Sequence, residues 1–320
     1  MKPRITIVGG GIAGLTLAAT LDPNRFCVTV HEAQPERVSG GAALGIWPSA
    51  KRALATIGVH VPAPTKINNA TLRSLSGRRM ISATAPPLTL MDRPTLMAAL
   101  TAAVPDTVQL EPRVVSDPTT LDGELIIGAD GVRSRIRGLI NPAATERRPT
   151  PWVALRAIEQ RAPAADEIGE YWGAGRLFGV SPLNEDRTYW FTSHRSTLGP
   201  DPLAVDAVLA EAREQFADST PVLRRLLDRA GDDTLATRLW LTPPLTRYVR
   251  GRHVLIGDAA HAALPNLGRG ACDAILDAVS LGRTLNRGGS LRGWQLRRVP
   301  PTRAAQWGAG AVMAFATRSR

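Results

Sequence analysis

Arg4-Ile5-Thr6-Ile7-Val8 runs directly into Gly9-Gly10-Gly11-Ile12-Ala13-Gly14, a short β-rich segment breaking into a glycine cluster. A helical stretch, Leu15 to Leu21, follows, and then a second strand from Cys27 to Val30 that ends at Glu32. This is G-x-G-x-x-G set between a strand and a helix, with an acid 18 residues beyond the last glycine. That spacing is close to the ~20 residues of a dinucleotide-binding βαβ unit. Gly9 permits the tight turn, Gly11 lets a pyrophosphate approach the backbone, and Gly14 lets the helix pack on the strand, with Ala13 between them. The free N–H groups and positive dipole of the helix start suit the phosphates. Glu32 is expected to accept hydrogen bonds from the adenosine ribose hydroxyls. A carboxylate there repels a 2′-phosphate, so the unit reads as a site for FAD or NAD rather than NADP.

The rest of the composition narrows the class. At 320 residues, 44% hydrophobic and 21% charged, the chain has ample material for one large or two ordinary globular domains. Its 29 Gly and 25 Pro follow no repeat period, which excludes collagen-like and solenoid architectures. Cys27 and Cys272 are far apart, with no CxxC and dispersed histidines, so neither a disulfide scaffold nor a metal site is expected. The net charge of +11 is uneven: residues 281–320 hold eight Arg and no Asp or Glu, leaving only +3 for residues 1–280. That end reads as a solvated basic tail rather than a membrane or polyanion patch, and no nucleic-acid partner is expected. Lys2 and Arg4 ahead of an apolar run imitate a secretory signal, but no small-residue cleavage site follows. The longest late apolar stretch, Gly308 to Thr317, is about half the ~20 residues of a membrane span. A soluble cytoplasmic protein is the expectation.

A second strand ending in acid, His253-Val254-Leu255-Ile256-Gly257-Asp258, leads into Ala259 through Gly270. Beyond it Ala271, Ala274, Ile275, Ala278, Val279, Gly282 and Leu285 recur at helical spacing. Between the two strands stands Gly128-Ala129-Asp130-Gly131-Val132-Arg133-Ser134. With these three motifs, and weaker matches at Gly45 to Ala50 and Arg93 to Leu96, the chain resembles the FAD-dependent aromatic hydroxylases. These are single-component flavoprotein monooxygenases with a p-hydroxybenzoate-hydroxylase-like fold, and the likeness spans residues 4 to about 285.

The resemblance implies an α/β fold: a Rossmann-like FAD-binding domain with an inserted, mainly β substrate domain. It implies a discontinuous FAD domain (1–66, 92–150 and 245–285), a substrate sheet (67–91 and 151–244) and a basic C-terminal segment (286–320). It also implies roles. Asp258 would bond the ribityl chain of noncovalent FAD, Pro265 would pack beside the isoalloxazine, and the amides around Gly268, Arg269, Gly270 and Ala271 would face flavin N1. Arg93 would contact FAD, and Asp130 with Arg133 would support both FAD and the incoming nicotinamide cofactor. With no second G-x-G-x-x-G, NADH or NADPH would bind only transiently. The activity implied is hydroxylation or epoxidation of an apolar or aromatic small molecule, with O2 as co-substrate and a C4a-hydroperoxyflavin as oxygen donor. An FAD-linked reductase of the same fold and a degenerate flavin-binding protein are the alternatives.

In the intervening region Glu167 to Trp172, Arg176 to Val180 and Arg187 to Thr192 read as strands, and Leu203 to Phe216 and Val222 to Arg229 as helices. They suggest a sheet roofing a substrate pocket. His194 and Tyr171 are candidate acid/base groups because a phenol reacts faster when deprotonated, but a surface position is the preferred reading of His194. Two residues depart from the resembling pattern: Arg269 stands where glutamine is usual, and Asp273 lies in a normally uncharged stretch. A guanidinium at Arg269 would add to the helix dipole facing the reduced flavin.

Overall fold

The structure, a computed structural model, describes residues 1–36, 42–62, 69–84, 88–199 and 202–316. The opening unit is strand β1 (Arg4–Val8), helix α1 (Ile12–Thr20) and strand β2 (Cys27–Glu32). Then come β3 (Ala43–Ile46), α2 (Pro48–Ala55), β4 (Asn69–Ser74), β5 (Arg79–Thr84), β6 (Thr89–Asp92), α3 (Arg93–Ala103), β7 (Gln109–Pro112), β8 (Leu125–Gly128) and α4 (Ile136–Ile140). The middle of the chain holds β9 (Arg148–Glu159), β10 (Gly169–Gly173), β11 (Arg176–Pro182), β12 (Thr188–Arg195), α5 (Val205–Gln215), α6 (Pro221–Asp228) and β13 (Leu235–Leu241). It closes with β14 (Val249–Arg250), β15 (His253–Leu255), α7 (Asp258–His261), α8 (Gly270–Asn286) and α9 (Leu291–Ala316).

One sheet has the order β14-β15-β8-β1-β2-β7 and is parallel except for the β14–β15 edge. Its central strands Ile5, Ile7, Val28, Val30, Ile126 and Ile127 are almost fully buried, as expected where helices cover both faces of a parallel sheet. Helix α1 is apolar all round, and Ile12 through Ala18 are buried. The second sheet, β13-β9-β12-β11-β10-β4-β5, is antiparallel apart from the β10–β4 pair. Its back face packs on α5 and α6 through Phe178, Trp190, Val208 and Phe216. A ribbon of β3 and β6 lies between the sheets in the chain's path. The expected boundary at residues 66 and 67 falls outside the described residues.

The basic end is not a solvated tail. Residues 291–316 form α9, and Trp294 is fully buried in the main core. Arg298 pairs through Nε with Asp277 Oδ1 at 2.6 Å. Pro300 and Pro301 sit inside this helix and remove two backbone donors. Close by, Thr302 Oγ1 donates to Arg298 O and Val299 O at 2.9 and 3.1 Å, and Thr302 Oγ1 meets the Tyr248 hydroxyl at 2.6 Å. Among the described residues no helix is long and apolar enough to cross a membrane.

Candidate active site

Strands β1, β8 and β15 are neighbours, so their carboxyl ends gather Gly9, Asp130 and Asp258 at one edge, where open α/β sheets bind ligands. Gly9 turns with φ +106°, and a Cβ there would collide with Ala129 O, so only glycine fits. A Cβ on Gly14 would strike Gly9 O, which fixes the close approach of α1 to its strand. Gly11, the residue before α1, has nothing within 4 Å of where a Cβ would stand, and its side of the turn is open. Ala13 is buried, its methyl 3.1 Å from where a Cβ on Gly257 would sit. Glu32 ends β2 as expected, and its carboxylate also organises the turn: Oε2 accepts from Gly10 N at 2.6 Å and Oε1 from Gln34 N at 2.8 Å.

Asp130 Oδ2 accepts from Arg135 N and Ile136 N at 2.8 and 3.4 Å, whereas its buried Oδ1 has no partner. Burial pushes the Asp130 carboxyl up, against the hydrogen bonds it accepts. Asp258 opens α7 with its side chain exposed to the cleft but ringed by protein, and loss of solvation raises its carboxyl too. The charges of His261 and Arg93 counter that only in part. The loop before α8 faces the same space. Pro265, Gly268 and Gly270 are exposed, Ala271 is half-buried, and a Cβ on Gly270 would stand 4.0 Å from Asp258 Oδ1. Trp47 Nε1, a buried donor without a partner, lies 4.0 Å from the corresponding point on Gly268. Orphaned buried polar atoms need an explanation, and beside an open cleft a polar ligand supplies one. An open glycine turn at a helix start, an unpartnered acceptor on Asp130 and an unpartnered donor on Trp47 fit a dinucleotide carrying a polar ring.

Behind the cleft the polar groups are saturated. Asp277 on α8 is fully buried, accepting from Gly257 N (3.0 Å), pairing with His261 Nε2 (2.6 Å) and held by Arg298. Burial alone would raise its pKa, but those partners outweigh burial and hold it below the ordinary range; the same pairing raises His261. Arg137, one turn beyond the motif residues Arg133 and Arg135, is also fully buried. It donates to the carbonyls of Val132, Ala144, Thr145 and Ala259 at 2.8–3.1 Å and ties the Asp130 loop to α7. The two departures in the α8 region turn out to be partners. Arg269 closes onto Asp273 with Nη2–Oδ1 at 2.9 Å and Nε–Oδ2 at 3.2 Å, and Arg298 approaches the same carboxylate at 3.7 Å. The Arg269 guanidinium is therefore committed to an i,i+4 pairing and does not add its charge to the helix dipole facing the cleft as expected.

The second sheet divides the remaining candidates by face. His194 shares the back face with Trp190, is 0% exposed, meets Phe216 edge-on and lies 3.5 Å from Glu211 Oε2. Burial lowers its pKa and the Glu211 carboxylate offsets this only in part. It is neither a surface residue nor on the face turned toward the cleft, because period 2 along β12 puts it with the core side chains under α5. Tyr171 is on that back face as well, its hydroxyl spent on Glu167 O at 2.7 Å.

The opposite face carries Trp152, Leu177 and Leu239, with Trp172 and Phe191 packed against them beside Leu264, the residue before Pro265, and Met313 of α9. Phe191 and Tyr189 also reach Ala43 and Leu90 of the β3–β6 ribbon. On this face, two residues from Trp172, stands Glu170, which the sequence reading did not single out. Trp172 Nε1 donates to Glu170 Oε2 at 2.8 Å, and burial pushes the Glu170 carboxyl up. Only strand alternation pointed to it, and that could not say which face was wet.

Comparison with known proteins agrees with this geometry. A family model described as FAD binding domain matches residues 98–295, and one described as NAD(P)-binding Rossmann-like domain matches residues 7–68. The chain is 28% identical to an aurachin C monooxygenase/isomerase of Stigmatella aurantiaca, over 89% of this chain and 82% of that one. It is likewise 28% identical to an FAD-dependent urate hydroxylase of Klebsiella pneumoniae subsp. pneumoniae, over 92% and 85%. A solved structure, Klebsiella pneumoniae HpxO complexed with FAD and uric acid, superposes with a TM-score of 0.85 at 23% identity, covering 98% of this chain and 89% of that one.

Proposed function

This chain belongs to the FAD binding domain family and is an FAD-dependent hydroxylase, and on that premise we propose that it uses NAD(P)H and O2 to place one oxygen atom on an apolar or aromatic ring. The observation that carries this reading is the juxtaposition of a polar cleft edge, Gly11, Asp130, Asp258 and Arg93, with an aromatic sheet face, Trp172 and Phe191, joined through Leu264. FAD, once bound, supplies two-electron redox and oxygen activation. The remaining tasks fall to the chain. Glu32 would hold the adenosine ribose, the amides at the start of α1 would meet the pyrophosphate, and Asp258 with Arg93 would hold the ribityl chain. The backbone of Gly268, Arg269, Gly270 and Ala271, the Trp47 N–H and Pro265 would receive the ring. The FAD-binding parts are the discontinuous segments around β1–β2, α3–β8 and β15–α8, and the second sheet is the substrate roof.

Glu170 is the polar group of that roof. A carboxyl raised by burial is better matched than an ordinary one to exchange a proton with a phenol or ring N–H, and it leaves a substrate donor an acceptor beside Trp172. The substrate class proposed is therefore an aromatic ring or heterocycle bearing one O–H or N–H. A panel of such rings, scored for stimulated NAD(P)H oxidation and a product heavier by one oxygen, tests the reading. Glu170→Gln should raise KM about tenfold for donor-bearing rings and leave rings without a donor unaffected. NAD(P)H oxidation that never yields an oxygenated product across the panel would defeat the monooxygenase reading.

A further inference from the structure

A cavity of about 640 Å³ opens where α2, α8 and the start of α9 converge, well away from the cleft. Arg283 is thirteen residues along α8 from Gly270, about 20 Å at the helical rise. Each helix gives the cavity one continuous face: Arg52 and Ala53 from α2; Leu276, Val279, Ser280, Arg283 and Thr284 from α8, with Arg287 capping its end; Gly293 and Arg297 from α9. The spacing i, i+3, i+4 and i+7 makes these single stripes rather than chance neighbours.

Ala53, Leu276 and Val279 form an apolar floor, and Arg52, Arg283, Arg287 and Arg297 are exposed around it. No Asp or Glu lines the space, and none of these four guanidinium groups makes a hydrogen bond or ion pair with the described residues. Arg283 and Arg287 are like charges at i,i+4, an arrangement that costs an isolated helix a few tenths of a kcal/mol. Four cations without a carboxylate partner thus line one concave surface at the positive end of α9. Of the described arginines after residue 281, Arg298 is used internally with Asp277, whereas Arg283, Arg287 and Arg297 line the groove without such a partner.

We propose that this groove is a binding site for a multiply charged phosphate anion, its oxygens held by the forked donors of Arg52, Arg283, Arg287 and Arg297. Guanidinium forks match phosphate geometry two bonds at a time, and a volume near 640 Å³ is of the size that holds a small organic ligand. The apolar floor suits an organic portion carrying the phosphates. The same chemistry is offered by a free polyphosphate and by the headgroup layer of an anionic membrane, and the experiment separates them.

Holoenzyme saturated with FAD is titrated with inorganic tripolyphosphate by calorimetry at physiological ionic strength, where screening acts over about 8 Å. In parallel it is sedimented with phosphatidylglycerol vesicles and with neutral phosphatidylcholine vesicles. The expected result is saturable one-to-one binding of tripolyphosphate, weakened about tenfold by each of Arg283→Gln and Arg287→Gln, with flavin absorbance unchanged. Arg224→Gln, an exposed arginine on α6, should leave it intact. Sedimentation with phosphatidylglycerol alone, lost in the same two variants, assigns the groove to a lipid headgroup. Absence of saturable binding in both arms, or binding that survives both substitutions, overturns the proposal.

Discussion

Asp258 and Asp277 stand 19 residues apart in one motif, one open to the cleft and the other fully buried, and the chain treats them in opposite ways. Asp277 has a backbone amide, a histidine and an arginine on its oxygens and sits below the ordinary carboxylate range. Asp258 has no hydrogen-bond donor from the described side chains, feels His261 and Arg93 only through their charge, and sits above that range. A buried carboxylate that is fully partnered belongs to the frame, and one left waiting belongs to a ligand. The contrast extends outward. Arg137 and the Arg269–Asp273–Arg298 cluster are saturated, whereas Asp130 Oδ1 and Trp47 Nε1 are not.

The sharpest way to break this comparison is at Asp277. Asp277→Ala leaves buried His261 and the Gly257 amide without their partner and Arg298 with Asp273 alone, and should cost about 3–5 kcal/mol of unfolding free energy in urea. A loss under about 1 kcal/mol would mean that the buried network is not a structural anchor.

The pH dependence separates the two carboxylates by sign. Asp277, lowered in the fold, contributes stability above the ordinary value of 3.8 that is lost as pH falls through its folded pKa. Asp258, raised in the fold, contributes stability below 3.8 that is lost as pH rises through its folded pKa. In FAD-stripped protein Asp258→Asn should therefore gain on wild type as pH rises above 3.8, whereas bound FAD should mask the difference. Urea midpoints across a pH series that run parallel for the two proteins would contradict the assignment.

The smallest effect concerns Cys272, which lies between the two regions. Its Sγ donates to Gly45 O at 3.1 Å and accepts from Trp47 N at 3.3 Å, and burial pushes the thiol up to about 11. Iodoacetamide near neutral pH should modify exposed Cys27 and spare Cys272, as peptide mass spectrometry would show. Equal labelling would mean that the β3–α8 contact opens.

Much of the frame was legible because it is local. Gly9 to Gly14, β2 up to Glu32 and the helical spacing after Gly270 each carry their signal within one turn or one strand, and the strands of the second sheet alternate as read. The losses were long-range. Arg298 meets Asp277 across 21 residues, and nothing in an Arg-rich stretch with two adjacent prolines announces a packed helix. Trp294, Thr302, Ala309, Met313 and Ala316 bury α9 with mostly small side chains, too sparse a stripe to read as amphipathic. The burial of His194 and the place of Glu170 were not legible for one reason: alternation separates two faces but does not say which one the helices will cover. The Arg269–Asp273 pair was readable from i,i+4 spacing alone, and treating each residue as a separate departure hid it.

The most direct test of the account is an FAD titration of apoprotein, wild type against Asp258→Ala, followed by flavin fluorescence, with urea midpoints taken on the same apoprotein samples. The account predicts one FAD per chain in wild type, affinity at least about tenfold weaker in the variant, and a midpoint that does not fall. Equal FAD affinity in the two proteins, or loss of affinity only in step with loss of the fold, would contradict the claim that Asp258 is held open for the cofactor.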